Sequence, residues 1–222
     1  MKITWLGHGS FRIDIADQVL LIDPWFTGNP VFPEGRRNEA VAGATHVLLT
    51  HGHGDHAGDA ASLGLPVAGM VELMKWCADK GCATTGFNKG GTIRLGDVAV
   101  TMVNAVHSST TPDGSHAGSE AGFMIAGEGH TIYFSGDTDI MADMEWMGEL
   151  HAPDIGILCA GGHYTMDMAR AAWAAKRYFN FKTVIPCHYK TFPLLEQSAE
   201  AMIRALPGVR VLTPDVMETL TL

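Results

Sequence analysis

Basic residues are scarce in this sequence. The 222 residues include 15 lysines and arginines against 24 acidic residues, which gives a formal net charge of −9. Binding to DNA or RNA without sequence preference requires a basic surface that displaces counterions from the phosphates. The charge balance therefore argues against nucleic-acid binding and favours a small-molecule partner.

The sequence also lacks the features of membrane and exported proteins. No uninterrupted apolar stretch is long enough to span a bilayer, and the N-terminal MKITWLGHGS has a lone lysine followed by an alternating segment. The four cysteines are too few and too scattered for a disulfide framework. We therefore predict a cytoplasmic protein without membrane contacts. Its cysteines are expected to be reduced core thiols: Cys77, Cys82, Cys159 and Cys187.

Hydrophobic residues make up 46% of the chain, enough for one sizeable core. Their pattern predicts mostly strands in the first half and strand–helix alternation in the second. The predicted strands are 3–6, 11–15, 19–22, 47–50, 98–107, 131–134, 155–159, 183–186, 209–212 and 216–220, and the predicted helices are 55–63, 140–150, 166–178 and 194–206. Trp146 and Trp173 fall at helical spacing and are expected in the core. We predict one α/β domain, residues 1–222, in which sheet packs on sheet beneath outer helices.

The heptapeptide THGHGDH, residues 50–56, contains three histidines and an aspartate directly after an apolar run. Neutral histidine is the commonest metal ligand, and crowding so many polar rings without a partner is costly. His51 and His53 project to the same side of an extended segment, whereas Asp55 and His56 follow at the turn. This arrangement favours two adjacent metal ions over one tetrahedral zinc.

Three further residues of metal-ligating type stand where predicted strands end. His107 ends the segment VNAVH, Asp137 lies in FSGDTD, and His188 ends TVIPCH. Active-site side chains concentrate at such boundaries between strand and loop. A lone histidine there is ordinarily structural, but these three match the heptapeptide in type and placement. Together they predict a metal site.

The heptapeptide resembles the HxHxDH signature of the metallo-β-lactamase superfamily. The flanking segments WLGHGSF, LIDPWFTGNP, SGDTD, YTMD and IPCHYKTFP are similar to those of small metal-dependent hydrolases related to ascorbate-phosphate lactonase. The resemblance covers essentially the whole chain. It implies an αββα sandwich of two mixed sheets with the site at one edge of the sheets.

The resemblance also implies two divalent metal ions and a ligand set for each. Mixed imidazole and carboxylate ligands do not select the metal, so zinc is expected first, and manganese, iron or nickel stay open. The implied ligands of the first ion are His51, His53 and His107. Those of the second ion are Asp55, His56 and His188, with Asp137 as a bridge between the two ions.

One segment departs from the pattern of similar hydrolases. They usually carry a Gly-Asp-Asn-like stretch where this chain reads GGHYTMD, residues 161–167, and several have glycine at the position of Asp167. His163 is therefore unusual. We predict that His163 is catalytic, as a contact to the leaving group or as an oxyanion donor.

Three other polar residues are candidates for supporting roles. His8, in a Gly-His-Gly turn, is expected either to hydrogen-bond a metal ligand or to act directly in the chemistry. Asp23 is expected to orient a ligand or to cap a turn. His116 lies in a loop rich in glycine and serine and is expected to be solvated.

Two ions that share a water lower its pKa and so provide hydroxide at neutral pH, while one ion polarises the oxygen of the bond under attack. Asp55 is the predicted catalytic residue that accepts or delivers a proton. The predicted function is hydrolysis of a small ester, lactone or phosphodiester. An anionic substrate is admissible because bound ions reverse the local potential. The sequence leaves a homo-oligomer open.

Three other functions stay open at this point. An iron-dependent thiol or sulfur oxygenase would use the same ligands, and metal analysis with an oxygen-uptake assay separates it from a hydrolase. A nuclease needs a basic arm or an extra domain, which an acidic chain of this size is not expected to supply. A non-catalytic metal-binding or scaffold protein is disfavoured because the ligand set is complete.

Overall fold

Two seven-stranded sheets form the centre of the computed structural model, which describes residues 1–222. The first sheet has the order β14-β1-β2-β3-β4-β5-β6 and the second has the order β13-β12-β11-β10-β9-β8-β7. The strands of the first sheet are β1 (Lys2–Gly7), β2 (Ser10–Ile15), β3 (Gln18–Ile22), β4 (His46–Leu49), β5 (Val67–Met70), β6 (Thr84–Phe87) and β14 (Thr219–Thr221). Those of the second are β7 (Thr92–Leu95), β8 (Val98–Asn104), β9 (Ala121–Gly127), β10 (His130–Phe134), β11 (Ile155–Cys159), β12 (Thr183–Cys187) and β13 (Arg210–Val211).

Both sheets are mixed, and each begins with an antiparallel meander that continues into parallel strands. In the first sheet, β1, β2 and β3 are antiparallel neighbours, and β3 to β6 run parallel. In the second, β7 to β10 are antiparallel neighbours, and β10 to β13 run parallel. It follows that β1, β3 and β4 end at one edge of their sheet, and that β8, β10 and β12 likewise end together.

Alternation of apolar and polar residues explains the inner faces of the sheets. In β2, Phe11, Ile13 and Ile15 are buried, while Arg12 and Asp14 are half-buried and pair with each other. A cluster of 59 buried hydrophobic residues includes strands of both sheets. Within it, Phe11 of one sheet meets Phe134 of the other edge to face, with ring centroids 5.7 Å apart.

The helices are short and flank the sheets. They are α1 (Arg37–Val41), α2 (Gly54–Ala57), α3 (Val71–Asp79), α4 (Met144–His151), α5 (Met168–Tyr178) and α6 (Glu200–Ala205). The longest, α5, begins at a side-chain cap because Asp167 accepts a 2.7 Å hydrogen bond from the amide of Arg170. Its alanine-rich face is buried, and Lys176 and Arg177 lie in the last turn, where the helix dipole favours positive charge. None of the helices has the length and apolarity needed to cross a membrane.

The predicted sandwich of two mixed sheets with outer helices is confirmed, and several element bounds are corrected. The helix predicted over 194–206 is helical only in α6, because the preceding backbone bonds to other loops: the Glu196 amide donates to the Gly161 carbonyl. The predicted helix 55–63 is α2 followed by a 3-10 turn, Ala60–Leu63. Trp146 and Trp173 were wrongly expected in the core; they are 43% and 52% exposed on the outer sides of their helices.

Candidate metal centre

The predicted ligands converge at one edge of the sandwich because the strands before them end there. His51 and His53 follow β4, while His107, Asp137 and His188 follow β8, β10 and β12. β8, β10 and β12 run in the same direction, so their carboxyl ends meet at one edge of the second sheet, where the side chains that follow β4 of the first sheet also lie. Each ligand therefore owes its position to strand direction, and side chains far apart in sequence become neighbours.

The converging side chains form two groups, each with the spacing of a metal site. Within each group the potential ligand atoms all lie within 4.8 Å of one another. The first group consists of His51, His53 and His107. The second group consists of Asp55, His56 and His188, with His8 beside them. These two groups reproduce the two implied ligand sets, with His8 as an addition.

Asp137 lies between the two groups. Its Oδ2 atom is 3.6 Å from His107 Nε2 in the first group. The same atom is 3.4 Å from His56 Nε2 and 3.0 Å from His188 Nε2 in the second group. A carboxylate has two diverging oxygens and can contact two cations at once. Asp137 therefore lies close to both groups, and its role as a bridge stays a prediction.

The polar atoms in the second group fit a cation because several of them have no partner within the protein. His56 Nε2 and both ring nitrogens of His188 are buried and make no hydrogen bond. His188 Nε2 is near Asp137 Oδ2, but the pair does not have hydrogen-bond geometry. A buried polar group without a partner costs about 1–3 kcal/mol. A divalent ion is the partner that these nitrogens and the adjacent carboxylates would share.

Ionisation in the centre also suits a cation. Burial opposes the charge of Asp137, yet His188 and His56 hold its pKa well below the usual value. Burial lowers the pKa of His51, so this ring keeps a free lone pair at neutral pH. Burial opposes the charge of His56, yet Asp137 and then Asp23 raise its pKa well above the usual value. The surrounding carboxylates thus attract positive charge to this point.

Asp23 supports both groups from behind. Its carboxylate accepts hydrogen bonds from the Thr50 amide (2.8 Å) and hydroxyl (2.6 Å), and His56 Nδ1 lies 2.7 Å from Oδ2. Asp23 also falls within ligand distance of His51 and His56. Its oxygens are engaged by Thr50 and His56, an arrangement that suits the predicted orienting role, which stays a prediction.

Several residues at this edge of the sheets have unusual backbone conformations. His8, Asp23 and His188 have φ angles of 54°, 49° and 62°, in the left-handed region that residues other than glycine rarely adopt. Such conformations cluster at functional sites because surrounding contacts hold them in place. Gly161 shows the tightness of the packing, since a Cβ atom there would lie 2.2 Å from the His188 carbonyl oxygen.

His163 lies outside the two ligand groups. Its exposed side chain borders an open polar groove of about 350 Å³, together with Asp167 and Glu196. Gly161 lines the same groove and abuts His188, so the groove adjoins the second group. His116 is exposed, as predicted. A catalytic role for His163 thus stays a prediction, with the groove as its setting.

Sequence reasoning missed the residues that surround Asp55 and His8. Trp25 and Phe192 are half-buried and pack against His8, with ring centroids 5.3 and 5.6 Å away. Thr191 places its hydroxyl 2.9 Å from His8 Nδ1. A threonine or an aromatic residue carries no metal-binding signature. The sequence offers one indication of their role, which is that Trp25 lies near Asp23 and that Thr191 and Phe192 lie near His188.

Known proteins resemble this chain over its whole length. A family model described as a β-lactamase superfamily domain matches residues 2–188. A UPF0173 metal-dependent hydrolase from Dinoroseobacter shibae is 66% identical over 230 residues, covering 100% of both chains. The solved structure of Igni18, a metallo-hydrolase from Ignicoccus hospitalis, is 31% identical with a TM-score of 0.87 and covers 99% of this chain and 97% of that one.

An isothiocyanate hydrolase from Delia radicum gut bacteria shares the fold, with 19% identity, a TM-score of 0.80 and coverage of 100% of this chain and 99% of that one. The match to D. shibae is far stronger, because two thirds of the residues are identical from end to end. The resemblance predicted from the HxHxDH heptapeptide is therefore confirmed. This chain belongs to the metallo-β-lactamase superfamily, among its UPF0173 metal-dependent hydrolases.

Proposed function

We propose that this metal-dependent hydrolase holds two divalent ions, zinc foremost, and cleaves a small ester or lactone. The observation that carries the proposal is the arrangement of the seven predicted ligands as two groups joined by Asp137. When bound, a pair of ions supplies an acidified water as nucleophile and a Lewis acid for the carbonyl oxygen. A single ion would occupy only one of the two groups, and the ligand-type side chains of the other group would have no ion to bind.

The chain's own residues position the reactants and move protons. The side chain of Asp55 is 32% exposed, unlike the fully buried Asp23 behind the ligands, so it can meet a substrate. It is the proposed proton carrier. His163 borders the groove that adjoins His188, and we assign it to the leaving group that departs along this groove. Both assignments follow from exposure and placement.

The charge of the centre favours an uncharged substrate over a phosphodiester. Every ion-pair partner of Asp23, Asp55 and Asp137 is a histidine, and no lysine or arginine contacts these carboxylates. Sites that bind phosphate groups commonly add arginine or lysine for the phosphate charge. The half-buried Trp25 and Phe192 lie beside this centre instead. They suit the apolar part of an ester or lactone.

The test combines metal analysis with a substrate panel. Protein purified without chelator is expected to contain two ions per chain and to hydrolyse an uncharged lactone or carboxylic ester faster than a phosphodiester. An isothiocyanate belongs in the panel because a protein of the same fold hydrolyses one. His163→Ala is expected to retain both ions and to lose about a hundredfold in kcat/KM, the lower end of what loss of an acid–base contact costs.

Two outcomes would overturn the proposal. If the purified protein contained no metal or only one ion per chain, the proposed dinuclear site would be refuted. Oxygen consumption with bound iron and no hydrolysis would identify an oxygenase at the same ligands, which the imidazole and carboxylate donors admit. A faster phosphodiester reaction would leave the dinuclear hydrolase in place and refute the preference for an uncharged substrate.

A further inference from the structure

His8 contacts two members of the second ligand group without belonging to the predicted ligand set. Its side chain is fully buried, and its Nε2 atom lies 2.9 Å from Asp55 Oδ2. The His8 ring also lies against His188, with centroids 3.7 Å apart. We propose that His8 and Thr191 are positioning residues that orient Asp55 and His188 for the second ion. The inference rests on the proposed dinuclear function and deepens it.

The hydrogen bonds around His8 define which ring nitrogen carries the proton. A carboxylate oxygen only accepts, so the contact to Asp55 requires a hydrogen on Nε2. A neutral imidazole ring has one N–H, so the other ring nitrogen offers a lone pair. Nδ1 must then accept, and the hydroxyl of Thr191, 2.9 Å away, is the donor.

Thr191 has a second acceptor within reach. Its hydroxyl lies 3.2 Å from the Tyr189 carbonyl oxygen, farther than His8 Nδ1. One hydroxyl hydrogen cannot serve both acceptors fully, and the shorter contact is to His8. Thr191 therefore fixes the His8 tautomer, and that tautomer in turn donates to Asp55. The chain of two hydrogen bonds sets the direction of one carboxylate oxygen.

The backbone of His8 hydrogen-bonds a residue that follows a strand of the other sheet. Its carbonyl oxygen accepts from the His188 amide at 2.9 Å and from Trp5 Nε1 at 2.9 Å. His8 follows β1 of the first sheet, whereas His188 follows β12 of the second. One residue thus connects two ligands of the same ion that come from different sheets. Partners that orient metal ligands in this way typically contribute 10–100-fold in metal affinity.

Direct ligation by His8 is the competing assignment, because its ring nitrogen lies within ligand distance of the second group. The two roles are mutually exclusive at Nε2, since a nitrogen that donates its hydrogen to Asp55 has no lone pair for an ion. Nitrogen NMR of the histidine side chains in the zinc-loaded protein distinguishes them. The proposal expects a protonated Nε2 at His8, and a metal-bound Nε2 would overturn it.

A matched set of variants tests the positioning role by zinc affinity. Asparagine tolerates the left-handed backbone at position 8 but is too short to reach Asp55, whereas glutamine places its amide where Nε2 stands. His8→Asn is therefore expected to weaken the second zinc by about 10–100-fold, and His8→Gln to restore much of the loss. Thr191→Val is expected to weaken the same ion, with Thr191→Ser close to the wild type.

The readout is a competitive chelator titration, with the fold of each variant checked by circular dichroism. The first zinc is expected to keep its affinity in all four variants, and this separates positioning from general damage. Wild-type affinity for both ions in His8→Asn and Thr191→Val would refute the positioning role while leaving the dinuclear hydrolase intact. A wild-type protein that binds only one zinc would refute both proposals.

Discussion

The two ligand groups differ in how the rest of the protein holds them. In the second group, Asp23 contacts His56, and His8 contacts Asp55 and the backbone of His188. In the first group, His53 has only a 3.4 Å contact to the Ser108 hydroxyl beyond its neighbour His51. Outer contacts orient ligands and raise metal affinity. Thr50, which Asp23 holds, also lies 3.0 Å from His51 Nδ1, so His53 is the weakly held member of the first group. We therefore expect the second group to be the better preformed of the two.

The contacts within the first group support this difference. His51 Nε2 and His53 Nδ1 lie 3.0 Å apart and hydrogen-bond each other, so these two rings satisfy one another. An ion between them has to break that contact. In the second group, His56 Nε2 and both ring nitrogens of His188 have no such partner. We therefore expect an ion in the second group to bind more tightly than one in the first.

The largest expected effect comes from breaking the connection between the groups. Asp137→Asn replaces a charged oxygen with a neutral amide of nearly the same shape, so the fold is expected to persist while one ion weakens. Hydrolysis is expected to fall by at least about a hundredfold, comparable with removal of a key electrostatic contact. The measurements are hydrolytic rate and metal content beside the wild type.

Asp139→Asn is the control for this prediction. Asp139 is exposed and pairs with Arg170 outside the metal centre, so its substitution is expected to leave both quantities near wild type. A silent Asp137→Asn beside a crippling Asp139→Asn would contradict the bridge and the ligand mapping based on SGDTD.

A smaller effect is expected from removing one group at a time. His51→Ala with His53→Ala is expected to leave one tightly held ion, whereas His56→Ala is expected to lose the tighter ion and retain weak binding. Zinc added to each metal-free variant should raise Tm more in the first case, by about 2–4 °C for each kcal/mol of binding energy. An equal or reversed order would refute the contrast between the groups. Full metal retention in the double variant would refute the ligand assignment itself.

The smallest expected effect concerns the thiols and tests whether the second group keeps its shape without metal. Burial raises the pKa of Cys77 and Cys159 to about 12, and it raises that of Cys187, directly before His188, well above the usual value. Iodoacetamide is expected to modify the half-buried Cys82 first, with Cys187 protected before and after chelation. Exposure of Cys187 after chelation would show that this group requires its ion. Denatured, non-reduced protein is expected to titrate four free thiols.

Strand-based reasoning predicted the sandwich, and it identified candidate ligands that the structure brings together. His107, Asp137 and His188 were identified because an apolar run precedes each, and such runs form buried strands whose ends are fixed by the sheet. Helix ends were predicted less well. The spacing in 194–206 is helical, but tertiary hydrogen bonds from Glu196 and Lys190 hold the first part in loop form. Periodicity alone does not register such long-range contacts.

The supporting residues were harder to predict than the ligands. Trp146 and Trp173 follow helical spacing, yet spacing does not reveal which face of a helix meets the sheet. Thr191 acquires its role only because the chain folds its hydroxyl against a residue 183 positions earlier. Histidine and aspartate carry a chemical signature of metal binding that the sequence displays. Residues such as Thr191, which orient the ligands, carry no such signature.

The candidate metal centre draws its ligands from both sheets. In each group two of the candidate ligands come from the segment that follows β4 in the first sheet, and one follows a strand of the second sheet. Asp137 adds a further contact from the second sheet. Neither sheet alone can therefore complete a coordination sphere. An ion bound here would be held by residues of both sheets. We therefore expect the protein to lose the ion when the two sheets separate.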